Sequence, residues 1–335
     1  MTLEDRLGAF EKLGNHLTAI DAEEWDQLFD KIKNENPWFT DASVRLAVKG
    51  LSNYLDRKKL EQWIGRYHLT QNAAKKIALV MPGNIPLAGF HDFLTVLISG
   101  HAVLVKLSSK DSVLLTFIAE KLKEIEPRFA PLITIAERLK NFDAVIATGS
   151  DNSARYFHYY FGKYPHIIRK NRSSCAVLTG DETSSEIDLL GKDVFTYFGL
   201  GCRNVSKIFF PKDYDPVRLI EGWKMYENII HQHKYNNNYD YQKSILLVNK
   251  KPFYDSGYVL LQESERLVSP ISVVYYERYE NTGDLSEKLQ LASSKIQCIV
   301  GKSNPIFVPF GQAQFPQLWD YADNVDTLQF LENIH

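Results

Sequence analysis

Only three cysteines occur in the 335 residues, and none stands in a CxxC or CxxH spacing. An odd number of thiols excludes complete pairing, and without those spacings neither a disulfide framework nor a zinc site is expected. Long apolar runs are missing too. No stretch of about 18 apolar residues occurs, so no membrane-crossing helix is expected. The N-terminus, MTLEDRLGAFEKL, carries acids early and has no apolar core, so it does not read as a secretory signal, and a reducing cytoplasm is the expected location. Charge of one sign is absent as well: 39 Lys and Arg face 41 Asp and Glu, for a net charge of −2, with the signs intermixed. That balance leaves no electrostatic footprint for nucleic acid.

What remains is an ordinary globular composition, with 44% hydrophobic and 24% charged residues, long enough for about two domains. The 13% of aromatic residues can build a core or an apolar substrate pocket. Residues 1–75 read as helices: Leu3, Leu7, Phe10 and Leu13 share a face, as do Val44, Leu46, Val48, Leu51 and Leu55 more loosely. Then the pattern alternates. KIALVMPG (76–83) reads as a buried strand and PLAGFHDFLTVLISG (86–100) as a helix ending on Gly100. AVLVKLS (102–108) is a second strand, followed by a helix over 112–126 behind an Asp111 cap. DAVIATGS (143–150), a helix over NSARYFHYYFGKY and HIIRK (166–170) complete the series.

Continuous apolar strands alternating with helices predict a doubly wound parallel sheet, in which ligands bind beyond the carboxyl ends of the strands. Here those ends are Pro82-Gly83-Asn84, Lys106-Leu107-Ser108-Ser109 and Thr148-Gly149-Ser150. From 170 to 302 a second α/β domain is expected, built on SCAVLTG, a helix running into Cys202, SKIFFP, a helix near 216–232, SILLVN, ISVVYYERY and IQCIVG. NNNYDY (236–241) reads as a polar loop. The segment 303–335 is interrupted by prolines, ends in a short helix, and is assigned to packing or oligomerisation. The expected boundaries are thus 1–75, 76–169, 170–302 and 303–335.

No GxGxxG is present, so the usual dinucleotide fingerprint is missing. Gly149-Ser150 ahead of a helix is either a minimal anion-binding turn or a plain strand–helix turn. In FTYFGLGCRNVSKIFFP (195–211) a helical period (Ile187, Leu190, Val194, Tyr197, Phe198) runs up to Gly199 and Gly201, which can stop a helix at positive φ. Cys175 and Cys298 lie within strand patterns and read as small buried hydrophobes. Cys202 has glycines and polar residues for neighbours, which let a substrate approach. It also lies past a helix C-terminus, where the dipole disfavours a thiolate, with Arg203 or Lys207 near enough in sequence to offset it. The residues alone leave both a reactive and a structural thiol open.

Taken together, MPGNIPLAGFHDFL, VLVKLSSKDS, ATGSDNSARYF, YFGLGCRNVSKIFFP and NNNYDYQKSILLVN, with GQAQFP and DYADNVDT near the end, resemble the aldehyde dehydrogenase superfamily. Within it they resemble the acyl-CoA reductase branch, the LuxC-like fatty-acid reductases of bacterial luminescence systems. The resemblance runs from residue 76 to the end; residues 1–75 match no motif of the branch. The chain is shorter than usual for it, so trimmed N-terminal elements are expected. The implied architecture is aldehyde dehydrogenase-like: a doubly wound parallel-sheet cofactor domain, a second α/β catalytic domain and a helical N-terminus.

By the resemblance Cys202 is the nucleophile, and Asn84 is the amide that shares an oxyanion with the cysteine's own N–H. Gly149 and Ser150 form the turn at the cofactor pyrophosphate, and Lys106 contacts the adenosine ribose. Where NAD-preferring relatives carry a glutamate for the ribose 2′-hydroxyl, this chain has Ser108, Ser109 and Lys110. Loss of a carboxylate and gain of a cation suit a 2′-phosphate, so NADPH is expected, with Ser109 and Lys110 as contacts. Counting back from Cys202 to the superfamily's general-base glutamate lands near Ile168, in HIIRKNRSS, where no carboxylate stands, which argues against hydrolysis of an acyl-enzyme and for a reductase. Glu265 falls one residue out of register with a glutamate near the nicotinamide ribose. His91, one turn past the Asn84 loop, is a proton-donor candidate or a structural histidine.

The implied activity is NADPH-dependent reduction of a long-chain acyl-CoA or acyl-carrier thioester to the aldehyde. The alternatives are an acyl-phosphate reductase of the same superfamily and a non-catalytic subunit that binds an acyl-carrying partner. A thioesterase or ligase supplying acyl groups, and a homo-oligomer, are implied in the same way.

Overall fold

The computed structural model describes residues 1–69 and 74–334. Four helices come first, α1 (Leu3–Thr18), α2 (Ala22–Glu35), α3 (Asp41–Tyr54) and α4 (Arg57–Ile64). Each starts where a side-chain oxygen takes a first-turn amide: Thr2, Asp21, Thr40 and Asp56 all accept from the residue three ahead. Their apolar faces (Phe10, Leu13, Val44, Leu55, Leu60 and Trp63) are fully buried in one core with the strand and helix that follow.

The alternating region forms β1 (Lys76–Val80), α5 (Phe90–Ile98), β2 (Ala102–Lys106), α6 (Val113–Ile125), β3 (Ile133–Ile135), β4 (Ala144–Thr148), α7 (Asp151–Phe161) and β5 (His166–Arg169). The strands pair in parallel in the order β3-β2-β1-β4-β5. The chain therefore winds outward in both directions from the boundary between β1 and β4, the switch point at which such sheets bind ligands. Short β3 was not foreseen; three residues are too few to register a period. Nor is Asp111 the cap of α6. Its place is taken by Glu35 of α2, whose carboxylate accepts from the Ser112 amide at 3.0 Å and the Val113 amide at 3.2 Å.

A second sheet, β11-β6-β7-β10-β9-β8, is parallel except for the β8–β9 pair. Its elements run β6 (Ser173–Val177), α8 (Ser184–Phe195), β7 (Val205–Pro211), α9 (Val217–Gly222), α10 (His233–Val248), β8 (Tyr254–Asp255), β9 (Leu260–Glu263), β10 (Val273–Tyr279), α11 (Thr282–Ala292) and β11 (Ile296–Val300). The single helix expected near 216–232 is α9 followed by a 3-10 turn over Lys224–His231. The NNNYDY loop is a correction of the larger kind. Together with SILLV it lies inside α10, because Tyr235, Tyr239 and Leu246 fall on one face and are buried there. Packing of three large side chains overrides the weak helix propensity of the asparagines.

The chain divides into two compact units, Met1–Asn171 with Gln317–His335, and Arg172–Pro316. The closing helix α12 (Thr327–Glu332) returns to the first unit, where Leu328 and Leu331 join its core. Arg169 at the end of β5 is buried there, paired with Asp92 of α5 and donating to Thr327 Oγ1 at 2.9 Å. Among the described residues no helix is long and apolar enough to cross a membrane.

Candidate active site

In the first unit the structure gathers six of the expected site residues at the carboxyl ends of three adjacent strands, β2, β1 and β4. Asn84 lies four residues beyond β1. Lys106 closes β2, and Ser109 and Lys110 follow in its loop, all three exposed. The two loops are in close contact: a Cβ on Gly83 would stand 2.3 Å from Ser108 Oγ and 3.2 Å from Lys110 Cβ, so only glycine fits. Gly149 directly follows β4 and has the same constraint, since a Cβ would lie 2.8 Å from Phe157 Cε2 and from Ser153 Cβ. Its amide donates to the Arg169 carbonyl at 3.3 Å.

Ser150 is the N-cap of α7, its hydroxyl accepting from the Ser153 amide at 3.2 Å. The other first-turn amides of α7 have no intrahelical acceptor and favour an anion at this end. A bare glycine turn, a helix N-terminus and the exposed Lys106 and Lys110 suit the phosphates of a dinucleotide.

His91 has a structural place. Its Nε2 lies 2.8 Å from the Leu318 carbonyl, and its ring packs on Trp63 and Tyr321 with centroids 5.4 and 5.5 Å away. Ile168 lies within β5 opposite Ala147, its side chain packed with an apolar cluster.

Cys202 belongs to the second unit. Helix α8 stops at Phe195, earlier than the apolar period suggested. Tyr197 and Phe198 then take left-handed conformations (φ 52° and 58°), followed by Gly199 at φ 76°. Gly201 is not among the positive-φ glycines. The turn carrying Cys202 is fastened by Asn204, which is only 1% exposed. Its oxygen accepts from the Gly201 amide at 2.8 Å, and its amide donates to the carbonyls of Asp193, Val194 and Thr196 at 3.1, 3.2 and 2.7 Å. These are carbonyls that a helix end leaves unsatisfied. From β6, Ser174 Oγ donates to the Cys202 carbonyl at 3.0 Å.

Behind α8 the buried Asp193 carboxylate accepts from the Gly311 and Ala313 amides at 2.6 and 2.9 Å. Burial pushes it up to about 6 against the pull of those bonds. Sequence reading passed over Asn204, Ser174 and Asp193; a polar residue two places after the thiol, opening an apolar strand, was the only local signal.

The three thiols differ in their surroundings, and Cys298 is less buried than its strand pattern suggested. Cys202 is exposed, whereas Cys175 is fully buried and its thiol is pushed far above the ordinary range by desolvation. Cys298 is partly covered and lies 3.1 Å from Ser174 Oγ; burial raises it, and Arg203 acts in the opposite direction. Lys207 cannot serve the Cys202 thiolate as a spare cation. It is fully buried, paired with Glu277 of β10, and donates to the Ser264 carbonyl. Ser206 Oγ adds a bond to the Leu267 carbonyl at 2.8 Å, so β7 holds the loop that carries the exposed Glu265. A small recess lies beside the turn that precedes Cys202, lined by Phe198, Gly199, Tyr235, Val259, Pro270 and Ile271 among others.

This architecture is that of the aldehyde dehydrogenases. The structure is similar to aldehyde dehydrogenase 21 from Physcomitrella patens in complex with succinate, with TM-score 0.69 and 13% identity over 90% of this chain and 74% of that one. It is similar to the NAD+ complex of an aldehyde dehydrogenase from Bacillus cereus, with TM-score 0.64 and 14% identity over 91% and 73% of the two chains. The corresponding values for glyceraldehyde-3-phosphate dehydrogenase GapN from Methanocaldococcus jannaschii, complexed with NADP, are 0.65, 13%, 91% and 77%. At such identities the likeness establishes the fold.

Within that fold the family is given by sequence. The acyl-CoA reductase (LuxC) family model matches residues 41–221, more than half of the chain, and the protein belongs to that family. The match begins at α3, inside the helical region where no motif was recognised. No curated protein matches the chain.

Proposed function

We propose that the protein reduces an acyl thioester, carried by CoA or by an acyl-carrier protein, to the aldehyde through a thioester on Cys202, with NADPH as reductant. The observation that carries this reading is an exposed thiol on a hydrogen-bonded turn in a member of the acyl-CoA reductase family, with an isoleucine at 168. The Cys202 thiolate attacks the acyl carbonyl, the C–S bond to the carrier breaks, and the carrier leaves as a thiolate that takes its proton from water. The Cys202 amide and the Asn84 side chain take the charge that develops on the carbonyl oxygen. Gly149 and Ser150 with the α7 amides hold the cofactor pyrophosphate, Lys106 its adenosine ribose, and Ser109 with Lys110 the 2′-phosphate. The bound cofactor supplies the hydride that reduces the thioester. Collapse of the resulting thiohemiacetal expels the Cys202 thiolate and frees the aldehyde. Ile168 offers no base to water, so the acyl group is kept for reduction.

The test is NADPH consumption with a series of acyl-CoA chain lengths, an acyl-carrier thioester and an acyl phosphate. Oxidation with a thioester that disappears in Cys202→Ala supports the reading. Consumption with the acyl phosphate alone assigns the other donor, and none with any donor removes the reductase reading.

A further inference from the structure

The turn that carries Asn84 rests on a group the reaction above does not use. Asp111, in the loop after β2, is only 5% exposed. One carboxylate oxygen accepts from the Leu87 amide at 2.7 Å; the other is buried with no hydrogen-bond partner among the described residues. Its own amide donates to the Ser108 carbonyl at 3.2 Å, which ties it to the loop that packs on Gly83. Leu87 is a buried, non-glycine residue at φ 60°, a conformation that persists only when its surroundings hold it. Its carbonyl accepts the Phe90 amide at 2.9 Å, so the same residue joins the Asn84 turn to α5. The duty that sequence assigned to Asp111, capping α6, belongs to Glu35. What remains is a buried carboxylate whose side-chain bond goes to the strained end of the Asn84 turn.

We propose that Asp111 is a positioning residue for acyl transfer: by holding the Leu87 amide it fixes the 83–87 turn, and with it the direction in which Asn84 presents its amide to the oxyanion. This rests on the reading of Asn84 given above.

An ionised carboxylate is the stronger acceptor, so the hold depends on the charge of Asp111. Burial pushes its carboxyl up to about 7, the Leu87 bond pulls it down, and Glu35 of α2 is the charged group that faces it and raises it further. Lys110, beside it in the chain, is exposed to solvent. The turn is therefore held firmly above neutral pH and loosens below it.

Asp111→Asn keeps the shape and one acceptor but cannot ionise. The rate of carrier-thiol release in a single turnover with an acyl-CoA is measured for both proteins from about pH 5.5 to 9; the ratio cancels the titration of Cys202 itself. Wild type and variant should agree below about pH 6, and the wild type should lead by about tenfold above pH 8. Alkylation of Cys202 by iodoacetamide, which needs no oxyanion donor, should be equal in the two. A ratio constant across pH, or alkylation slowed as much as acylation, overturns the proposal, because either marks a general loss of structure. Asn84→Ala is run in parallel. Wild type that releases thiol as fast as Asn84→Ala removes the reading of Asn84 and this proposal with it, whereas a slow Asn84→Ala beside a wild-type-like Asp111→Asn overturns the proposal alone.

Discussion

Replacing Asn204 with alanine removes the fastening of the Cys202 turn without touching the thiol. An amide has two N–H donors, shared here among the carbonyls of Asp193, Val194 and Thr196, and one oxygen, used by the Gly201 amide. About three bonds are lost at a site that water does not reach, each worth about 1 kcal/mol net, so the expected cost is about 3 kcal/mol. For a unit of this size that lowers Tm by about 6–12 °C. Activity should suffer further. Tyr197 and Phe198 sit in left-handed conformations that cost about 1–3 kcal/mol each, and the turn is free to relax once Asn204 is gone. Displacement of a nucleophile by about 1 Å is worth roughly a hundredfold, so acylation measured where the variant is still fully folded should fall by about that factor. Asn204→Asp keeps the acceptor for Gly201 but sets a carboxylate against three carbonyls, and it should be no better than alanine. Thermal unfolding and single-turnover thiol release decide it. A variant within about 2 °C of wild type, or an aspartate that restores stability, would refute the reasoning.

Cys202→Ala should form no acyl-enzyme and oxidise no NADPH while still binding the dinucleotide, as calorimetry would show. Gly149→Ala sets a methyl 2.8 Å from Phe157 and Ser153, and should weaken dinucleotide binding about tenfold with Cys202 alkylation unchanged. If Lys110 faces the 2′-phosphate as proposed, Lys110→Glu should lower the preference for NADPH over NADH by tenfold or more in kcat/KM, because the substitution exchanges that cation for an anion. Asp193 should make stability fall with rising pH. Its folded pKa of about 6 lies above the ordinary 3.8, so its contribution is complete below about pH 4 and is lost as pH rises through 6. The loss amounts to about 3 kcal/mol at most; urea unfolding at several pH values should show the slope in wild type and a flatter one in Asp193→Asn.

The strands β1, β2, β4 and β5 were legible because each is a short apolar run closed by glycine, proline or a charge. They placed Asn84, Lys106 and Gly149 at the carboxyl ends of one sheet; that the three ends are neighbours comes from the strand order β2-β1-β4 of the structure. Helix α10 was not legible, since its asparagines mask a face set by Tyr235, Tyr239 and Leu246. Nor was the true end of α8: Tyr197 and Phe198 continue its apolar period, and only the bonds from Asn204 show why the helix stops at Phe195.

The end of α8 and the place of Asp111 were missed for one physical cause, which is not that of α10. The loops of interest here are fixed from behind by buried polar groups: Asp111 holds the Leu87 amide, Asp193 the amides of Gly311 and Ala313, and Lys207 the Ser264 carbonyl. The Arg169 backbone does the same for Gly149 while its side chain is committed to Asp92. Apolar burial is non-directional and leaves a period in the sequence. A hydrogen bond from a distant residue is directional and leaves none, as Glu35 shows by capping a helix 77 positions away. A loop that must aim an amide or a thiol needs the directional kind. Hence the residues that set its geometry are the ones a periodic reading passes over, and Asp111, a cap by position, is bonded instead to the Asn84 turn.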